Sequence, residues 1–320
     1  MPVCGASEKI SDAPVFCIRI IEKRAPICYN FSMNYVRLKS YAKINLTLDI
    51  TGADGGFHNI DSLVASVDIY DLIAVKKRKD KLVSVTMHGR GSEAIAFEDN
   101  NAVKAAELFI KTFSVGGVDI TVWKNIPVGA GLGGSSADVA GVIKAMCALY
   151  EVPLAKGKEV ADKVGSDCGY MLYGGFARLS GRGDRVKLLD SDLKLDIGLI
   201  IPKTGVSTAE CYRLYDSAGG GCPHCTEEAE EAVKNNDFDR MCKSLNNHLM
   251  PAAMRLNGDI AGAIKTLMGF DPPAVNMTGS GSGVYALFEN DQFAQYAKSR
   301  IRGAHEFILT KTVKPEREDI

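Results

Sequence analysis

A short run of glycines and serines constrains the fold of this chain more than any other feature. Residues 125–140 read NIPVGAGLGGSSADVA. The glycines and serines of this run are Gly129, Gly131, Gly133, Gly134, Ser135 and Ser136. Apolar residues with helical spacing follow, namely Val139, Val142, Ile143, Met146 and Leu149. Glycine lets a backbone approach an anion closely, and a helix N-terminus offers unpaired N–H groups with a partial positive charge. The run therefore predicts a phosphate-binding loop that leads into a helix, with a serine-capped turn as the plainer alternative.

Other phosphate-binding motifs are excluded because their companion features are missing. Gly129, Gly131 and Gly134 fit G-x-G-x-x-G, but a dinucleotide site also needs a second strand that ends in an acidic residue. Glu151 lies at about the right distance, yet no strand precedes it. The chain contains no G-x-x-x-x-G-K-[ST], and the H-R-D and D-F-G motifs of protein kinases are also absent. The pattern that remains is P-x-G-x-G-L-G-x-S-S-A.

This pattern and five further motifs resemble the GHMP family of small-molecule kinases. The five are AKINL at 42–46, GFH at 56–58, GSD at 165–167, GVST at 205–208 and GSGSG at 279–283. The resemblance runs from about 33 to 313 and implies phosphate transfer from ATP, with Mg²⁺, to an alcohol. The branch that it resembles most phosphorylates the 2-hydroxyl of a cytidine-diphosphate-linked erythritol in non-mevalonate isoprenoid biosynthesis. The alternatives are a mevalonate-, homoserine- or sugar-type acceptor, or a catalytically silent binding protein with the same fold.

The resemblance also implies an α+β fold with two domains, the first ribosomal-S5-like and the second ferredoxin-like. We expect the first domain over 33–184, the second over 185–320, and a poorly ordered extension over 1–32. Periodicity agrees with alternating elements. It predicts helices over 101–113 and within 227–268, and strands over 36–50, 72–76, 82–88, 118–123, 196–201 and 284–289.

The resemblance assigns the catalytic role to Lys43 and Asp167. Asp167 would accept or orient the proton of the acceptor hydroxyl, and Lys43 would steady the acceptor oxygen. From position alone, Asp167 could equally be a helix N-cap and Lys43 a solvated lysine on the polar face of a strand. Asn45 shares the strand face of Lys43 and would bind the acceptor's diol.

The resemblance also assigns the two ligand sites. The ATP contacts would be Pro127, Gly129, Ala130, Gly131, Leu132, Gly133, Gly134, Ser135 and Ser136. Either serine could also hold Mg²⁺, directly or through water. Phe57 and Tyr212 would stack on the cytosine, and His58 would read its edge. The second glycine loop, which includes Gly279, Ser280 and Gly281, would close over the phosphates.

Composition limits the number of domains and the kinds of partner that the chain can have. The 320 residues are 46% hydrophobic and 24% charged, which suits one large or two ordinary globular domains. The net charge of -1 gives no indication of a nucleic-acid or membrane partner, and no apolar run approaches the ~18 residues of a membrane helix. We therefore expect a small-molecule substrate and neither of those partners; no oligomeric state is predicted.

Cysteine usage favours a reducing compartment. The nine cysteines are scattered and odd in number, which is typical of free thiols in the cytoplasm. The segment CPHC at 222–225 could supply zinc ligands, but a structural zinc site needs four and no second C-x-x-C is present. An exposed loop is the favoured interpretation. His248 has no carboxylate or cysteine near it in the sequence that would indicate a site.

Overall fold

The computed structural model describes residues 34–89, 91–92, 96–219, 223–301 and 306–315. The strands within them are β1 (Tyr35–Asn45), β2 (Thr47–Asp54), β3 (Phe57–Lys77), β4 (Val83–Gly89), β5 (Val118–Lys124), β6 (Phe176–Gly181), β7 (Arg185–Leu189), β8 (Asp196–Ile201), β9 (Asn246–Asn247), β10 (Ala274–Met277), β11 (Val284–Phe288) and β12 (Glu306–Lys311). The helices within them are α1 (Asn101–Phe113), α2 (Gly134–Tyr150), α3 (Leu154–Val164), α4 (Cys168–Met171), α5 (Thr208–Ala218), α6 (Thr226–Lys234), α7 (Phe238–Lys243), α8 (Met250–Leu256), α9 (Gly258–Met268) and α10 (Asp291–Arg300). The predicted extension over 1–32 lies outside the described residues.

The long strand β3 organises the first sheet. It pairs antiparallel with β1, β2, β5 and β6, while β4 joins β5 and β9 joins β2 in parallel. Helices α1 to α4 cover one face with a core that includes Phe109, Ile120, Met146 and Tyr170. The apolar stripe predicted for α2 is buried in this core, so the helix that follows the glycine run is confirmed.

A second, antiparallel sheet has the order β10-β11-β8-β12. Helices α8, α9 and α10 pack on one side of it. Its other side meets the first sheet through a shared core that includes Ile44, Leu63, Leu199 and Tyr285, with α6 and α7 at the margin. The α+β class is therefore confirmed, and the junction of the two sheets is a packed interior.

Some elements differ from the sequence prediction. The helix over 101–113 and the strand over 196–201 are confirmed. The single strand expected over 36–50 is wrong, because β1 ends at Asn45 and β2 begins at Thr47. The expected polar face is also not solvated: Lys43, Asn45 and Asp49 are buried, since the second half of the chain covers that face. The domain limit expected at Asp184 falls in the turn between β6 and β7, which pair with each other.

Within the described ranges, no helix combines the length and the apolar character that crossing a membrane requires.

Candidate active site

The glycine run forms a loop at the start of α2. Gly129, Gly131 and Gly133 have φ values of 70°, 74° and 72°, in the left-handed region that favours glycine. Helix α2 begins at Gly134, so the hydroxyls of Ser135 and Ser136 lie in its first turn. All nine residues expected to contact ATP line one cavity of about 490 Å³. The free N–H groups and the partial positive charge of the helix start therefore face a space that can hold phosphates.

Two of these glycines are also required by close packing. A Cβ at Gly131 would overlap the carbonyl oxygen of Thr278, and a Cβ at Gly133 would overlap the side chain of Met171. The same Cβ at Gly133 would lie 3.3 Å from Lys43 Cγ. The loop therefore packs closely against Thr278 and Met171, and Lys43 lies directly beside it.

The second glycine loop packs against the first. Gly283 N donates to Ala130 O at 3.1 Å, and Thr278 Oγ1 donates to Gly131 O at 3.0 Å. The hydroxyl of Ser280 lies 2.8 Å from Thr208 Oγ1 at the start of α5. Residues 278–283 thus buttress the phosphate loop and connect it to α5. The proposed contact of Gly279, Ser280 and Gly281 with the substrate stays a prediction.

Lys43 and Asp167 come together although 123 residues separate them in the sequence. Lys43 Nζ lies 3.4 Å from Asp167 Oδ2 and donates to Asn45 Oδ1 at 2.6 Å. Asp167 occupies the N-cap position of α4, but its side chain makes no capping hydrogen bond. Its side chain is 30% exposed while the Lys43 side chain is 7% exposed, so Asp167 is the member of the pair that is more open to a ligand.

Asn45 connects this pair to the second glycine loop. Its Oδ1 also accepts a hydrogen bond from Gly279 N at 3.0 Å, and its Nδ2 donates to Ser62 Oγ at 2.8 Å. The residue is 3% exposed. Its amide therefore holds Lys43 in position, and its contact with an acceptor diol stays a prediction.

A buried ionic cluster at the wall of the same cavity was missed by the sequence analysis. Lys124 Nζ donates to Asp71 Oδ2 and, at 2.7 Å, to Asp138 Oδ2. Asp71 Oδ1 accepts from the backbone N–H groups of Asn125 and Ile126 at 2.6 and 2.8 Å. The cluster therefore ties both ends of the phosphate loop together. The available signal was an acidic residue, Asp138, inside the apolar run of α2.

Burial and neighbouring charges both shift the pKa values in this cluster. Burial raises the pKa of Asp138 to about 7; Lys124 opposes the rise and Asp71 adds to it. Burial alone would lower the pKa of Lys124, but the two carboxylates outweigh it and raise that pKa. Among the described residues, Asp138 Oδ1 has no hydrogen-bond partner although it is buried. Since Asp138 lines the cavity, this oxygen is available to a ligand there.

Helix α1 supplies a second wall that the sequence analysis did not identify. Asp99, Asn100 and Asn101 line the same cavity. Asn101 Nδ2 donates to Ser135 Oγ at 2.9 Å, and Asn100 caps α1 through its side chain. The start of α1 thus faces the start of α2 across the cavity.

The residues expected to bind cytosine lie near Asp167 and outside the cavity that the glycine run lines. Burial, with a contribution from the Asp167 charge, raises the pKa of Tyr212 to about 12. The ring of His58 stacks on Tyr212 at 4.5 Å, and His58 Nε2 lies 2.7 Å from Asp216 Oδ1. Phe57 is 52% exposed. The structure therefore brings His58 and Tyr212 together, and His58 covers a face of Tyr212. The sandwich of cytosine between Phe57 and Tyr212 stays a prediction.

The CPHC segment lies against a buried carboxylate. Cys222 falls outside the described residues, and the exposed His224 lies 4.0 Å from Asp49 through Nδ1. The expectation that His248 has no carboxylate neighbour is wrong for the folded chain, because its Nε2 lies 3.4 Å from Asp49 Oδ1. His248 Nδ1 accepts from Ile50 N at 3.0 Å, which leaves the proton on Nε2, 3.1 Å from Pro223 O. These contacts fix the loop by hydrogen bonds and leave His248 no free lone pair for a metal.

Two family models match the chain. The model of the GHMP kinases N terminal domain matches residues 100–175, and that of the GHMP kinases C terminal matches 229–305. The 4-diphosphocytidyl-2-C-methyl-D-erythritol kinase of Clostridium beijerinckii is 31% identical over 284 residues, covering 87% of this chain and 100% of that protein. The same-named kinase of Desulfitobacterium hafniense is 34% identical over 267 residues, covering 82% and 90%. A crystal structure of 4-(cytidine 5'-diphospho)-2C-methyl-D-erythritol kinase superposes with a TM-score of 0.71 at 28% identity, covering 87% and 99%.

Proposed function

The chain belongs to the GHMP kinase family, and from this premise we propose that it phosphorylates the 2-hydroxyl of 4-diphosphocytidyl-2-C-methyl-D-erythritol. ATP is the phosphate donor, as in other kinases of the family. The reaction would supply non-mevalonate isoprenoid biosynthesis in the cytoplasm. Among the described residues, Cys147, Cys168, Cys211 and Cys242 are free thiols, which suits a reducing compartment.

The observation that carries the proposal is the position of the Lys43–Asp167 pair beside the phosphate loop. Phosphoryl transfer needs an acceptor hydroxyl aligned with the terminal phosphate and groups that neutralise the developing charge. Asp167 presents a partly exposed carboxylate to the acceptor, and the ammonium of Lys43 lies 3.4 Å behind it. A binding protein without catalytic activity would have no need to keep a buried lysine beside a carboxylate at this position.

In the proposed reaction, Asp167 accepts or orients the proton of the attacking hydroxyl. Lys43 steadies the acceptor oxygen as negative charge develops on it. The backbone N–H groups at the start of α2 hold the phosphates of ATP in line with that oxygen. Asn45 keeps the Lys43 side chain in position, because its amide oxygen accepts hydrogen bonds from both Lys43 and Gly279.

Magnesium is the cofactor that this proposal adds to ATP. The hydroxyls of Ser135 and Ser136 line the nucleotide cavity, and so does Asp138, whose Oδ1 has no hydrogen-bond partner among the described residues. Mg²⁺ prefers oxygen ligands and often combines one or two protein oxygens with substrate phosphates. These groups fit such an ion. Ser135 and Ser136 would hold it, and its charge would neutralise the phosphates of ATP.

The deciding experiment measures turnover with purified protein, ATP and Mg²⁺. The expected result is ADP release that depends on 4-diphosphocytidyl-2-C-methyl-D-erythritol, with a monophosphorylated product detected by mass spectrometry. Mevalonate, homoserine and a simple sugar serve as competing acceptors in parallel reactions. Turnover with one of these instead would assign a different acceptor, and ATP binding without turnover of any acceptor would indicate a silent GHMP-fold protein.

A further inference from the structure

Arg182 is a charged residue near the proposed acceptor site, and the proposed reaction gives it no role. It lies in the turn between β6 and β7, where its backbone N–H donates to Asp184 Oδ1 at 2.9 Å. Its guanidinium lies over the ring of Phe57, with Cζ 3.5 Å from the ring centroid. The next residue is Gly183, where a Cβ would lie 3.6 Å from Asp167 Oδ1. The turn therefore brings Arg182 to the edge of the centre at which the acceptor reacts.

The guanidinium has donors left for a ligand. Among the residues that the structure describes, no carboxylate lies within 4.0 Å of it. Phe57 holds one face of the guanidinium by a cation–π contact, and this leaves the N–H donors along its rim available. Because the side chain is exposed, an anion can reach it without breaking an ion pair.

Lys43, which lies beside Asp167, is already engaged. Lys43 Nζ lies 2.6 Å from Asn45 Oδ1 and 3.4 Å from Asp167 Oδ2. The proposed acceptor site also includes Asp216, because its carboxylate is bound to His58. An acceptor with a diphosphate between its base and its alcohol would bring negative charge close to two carboxylates. A further cation is needed to offset that repulsion, and Arg182 is in position to do so.

We infer that Arg182 binds the diphosphate of the acceptor and makes the enzyme selective for alcohols that carry this group. The inference rests on the proposed function. Arginine suits the role because its planar fork can donate two parallel hydrogen bonds to phosphate oxygens. Phe57 orients that fork by stacking on it, so Phe57 has a second contribution besides its predicted contact with cytosine.

The test compares cytidine, CMP and CDP as inhibitors competitive with the acceptor. CDP should bind the wild-type enzyme more tightly than cytidine. In Arg182→Gln, that preference should fall by about ten- to a hundred-fold, the range expected for a lost hydrogen bond to a charged group. The inhibition constant of cytidine and the KM for ATP should not change. Arg182→Lys should restore part of the preference, because lysine keeps the charge but lacks the fork.

Arg185→Gln is the matched control, since Arg185 is an exposed arginine of the same hairpin and its loss changes the net charge equally. It should keep the wild-type preference for CDP. An equal loss in both variants would mean that only overall charge matters, and the assignment to Arg182 would be wrong. A preference that survives in Arg182→Gln would also overturn it while leaving the acceptor assignment intact. If the wild-type enzyme binds none of the cytidine compounds, the proposed acceptor itself is wrong and the inference falls with it.

Discussion

Replacing Lys124 by methionine tests whether the buried ionic cluster holds the phosphate loop. The side chain of Lys124 is 3% exposed, and those of Asp71 and Asp138 are 0% and 7% exposed. Methionine fills a similar volume but leaves two carboxylates close together without a cation. Removing one partner of a buried ion pair typically costs about 3–5 kcal/mol, because a charge stays buried without compensation.

The free energy of unfolding should therefore fall by about 3–5 kcal/mol in Lys124→Met, a large share of the ~5–15 kcal/mol that typically stabilises a protein. Denaturant unfolding followed by circular dichroism measures this change. ATP affinity should fall as well, because Asp71 accepts hydrogen bonds from Asn125 and Ile126 at the start of the loop. Asp138→Asn should reduce the cost of Lys124→Met, since it removes one of the two carboxylates.

Lys156→Met is the control for the loss of a lysine in an ion pair. Lys156 and Glu159 lie 2.8 Å apart on the surface, with side chains 60% and 63% exposed. Exposed pairs contribute little, so this variant should unfold like the wild type. If Lys124→Met also unfolds like the wild type and binds ATP normally, the cluster does not support the loop and the reasoning is refuted.

Four further outcomes follow from the same contacts. Asp167→Asn should lower kcat by about 10²–10⁴-fold in steady-state assays while ATP binding, measured by calorimetry, stays nearly unchanged. Gly131→Ala should weaken ATP binding far more than Gly129→Ala, because both have positive φ but only the former meets a carbonyl; equal effects would contradict the packing argument. Tyr212→Ala should raise the KM for the cytidyl acceptor by about ten- to a hundred-fold and leave the KM for ATP unchanged, if the ring stacks on cytosine. Because the folded-state pKa of Asp138 is raised from 3.8 to about 7, the proton that it binds stabilises the fold below about pH 4, and this contribution is lost as the pH rises towards 7. The stability of the wild type relative to Asp138→Asn should decline over that window; a flat difference in urea unfolding would count against the raised pKa.

Local sequence patterns were sufficient to predict a helix or strand where one face of that element packs against a single core. Helix α1 and strand β8 have the predicted limits, because apolar residues at the right period are the ones that pack. The loop and the helix start at the glycine run could also be predicted, since both depend on residues that are neighbours in the sequence. The nine expected ATP contacts are consecutive or nearly so, and a single cavity therefore collects them.

Patterns failed where burial depends on distant segments. Alternation in β1 and β2 suggested a solvated polar face, but α6, β9 and the second sheet cover it, so Asp49 is fully buried. Lys43 and Asp167 could be paired only by resemblance to a family. No local sequence pattern links a residue of β1 to one at the start of α4. Lys124 gave no periodic signal, because its partners Asp71 and Asp138 lie on a different strand and a helix.

Gly131 illustrates how a correct prediction can rest on an incomplete cause. The glycine was expected because a phosphate must approach the backbone there. The structure adds a second requirement on the opposite side, where a Cβ would overlap the carbonyl oxygen of Thr278. Thr278 in turn is hydrogen-bonded to Asn45 N, and Asn45 holds Lys43. The phosphate loop, the second glycine loop and Lys43 are therefore linked by direct contacts, so a substitution at Gly131 should disturb the position of Lys43 as well as nucleotide binding.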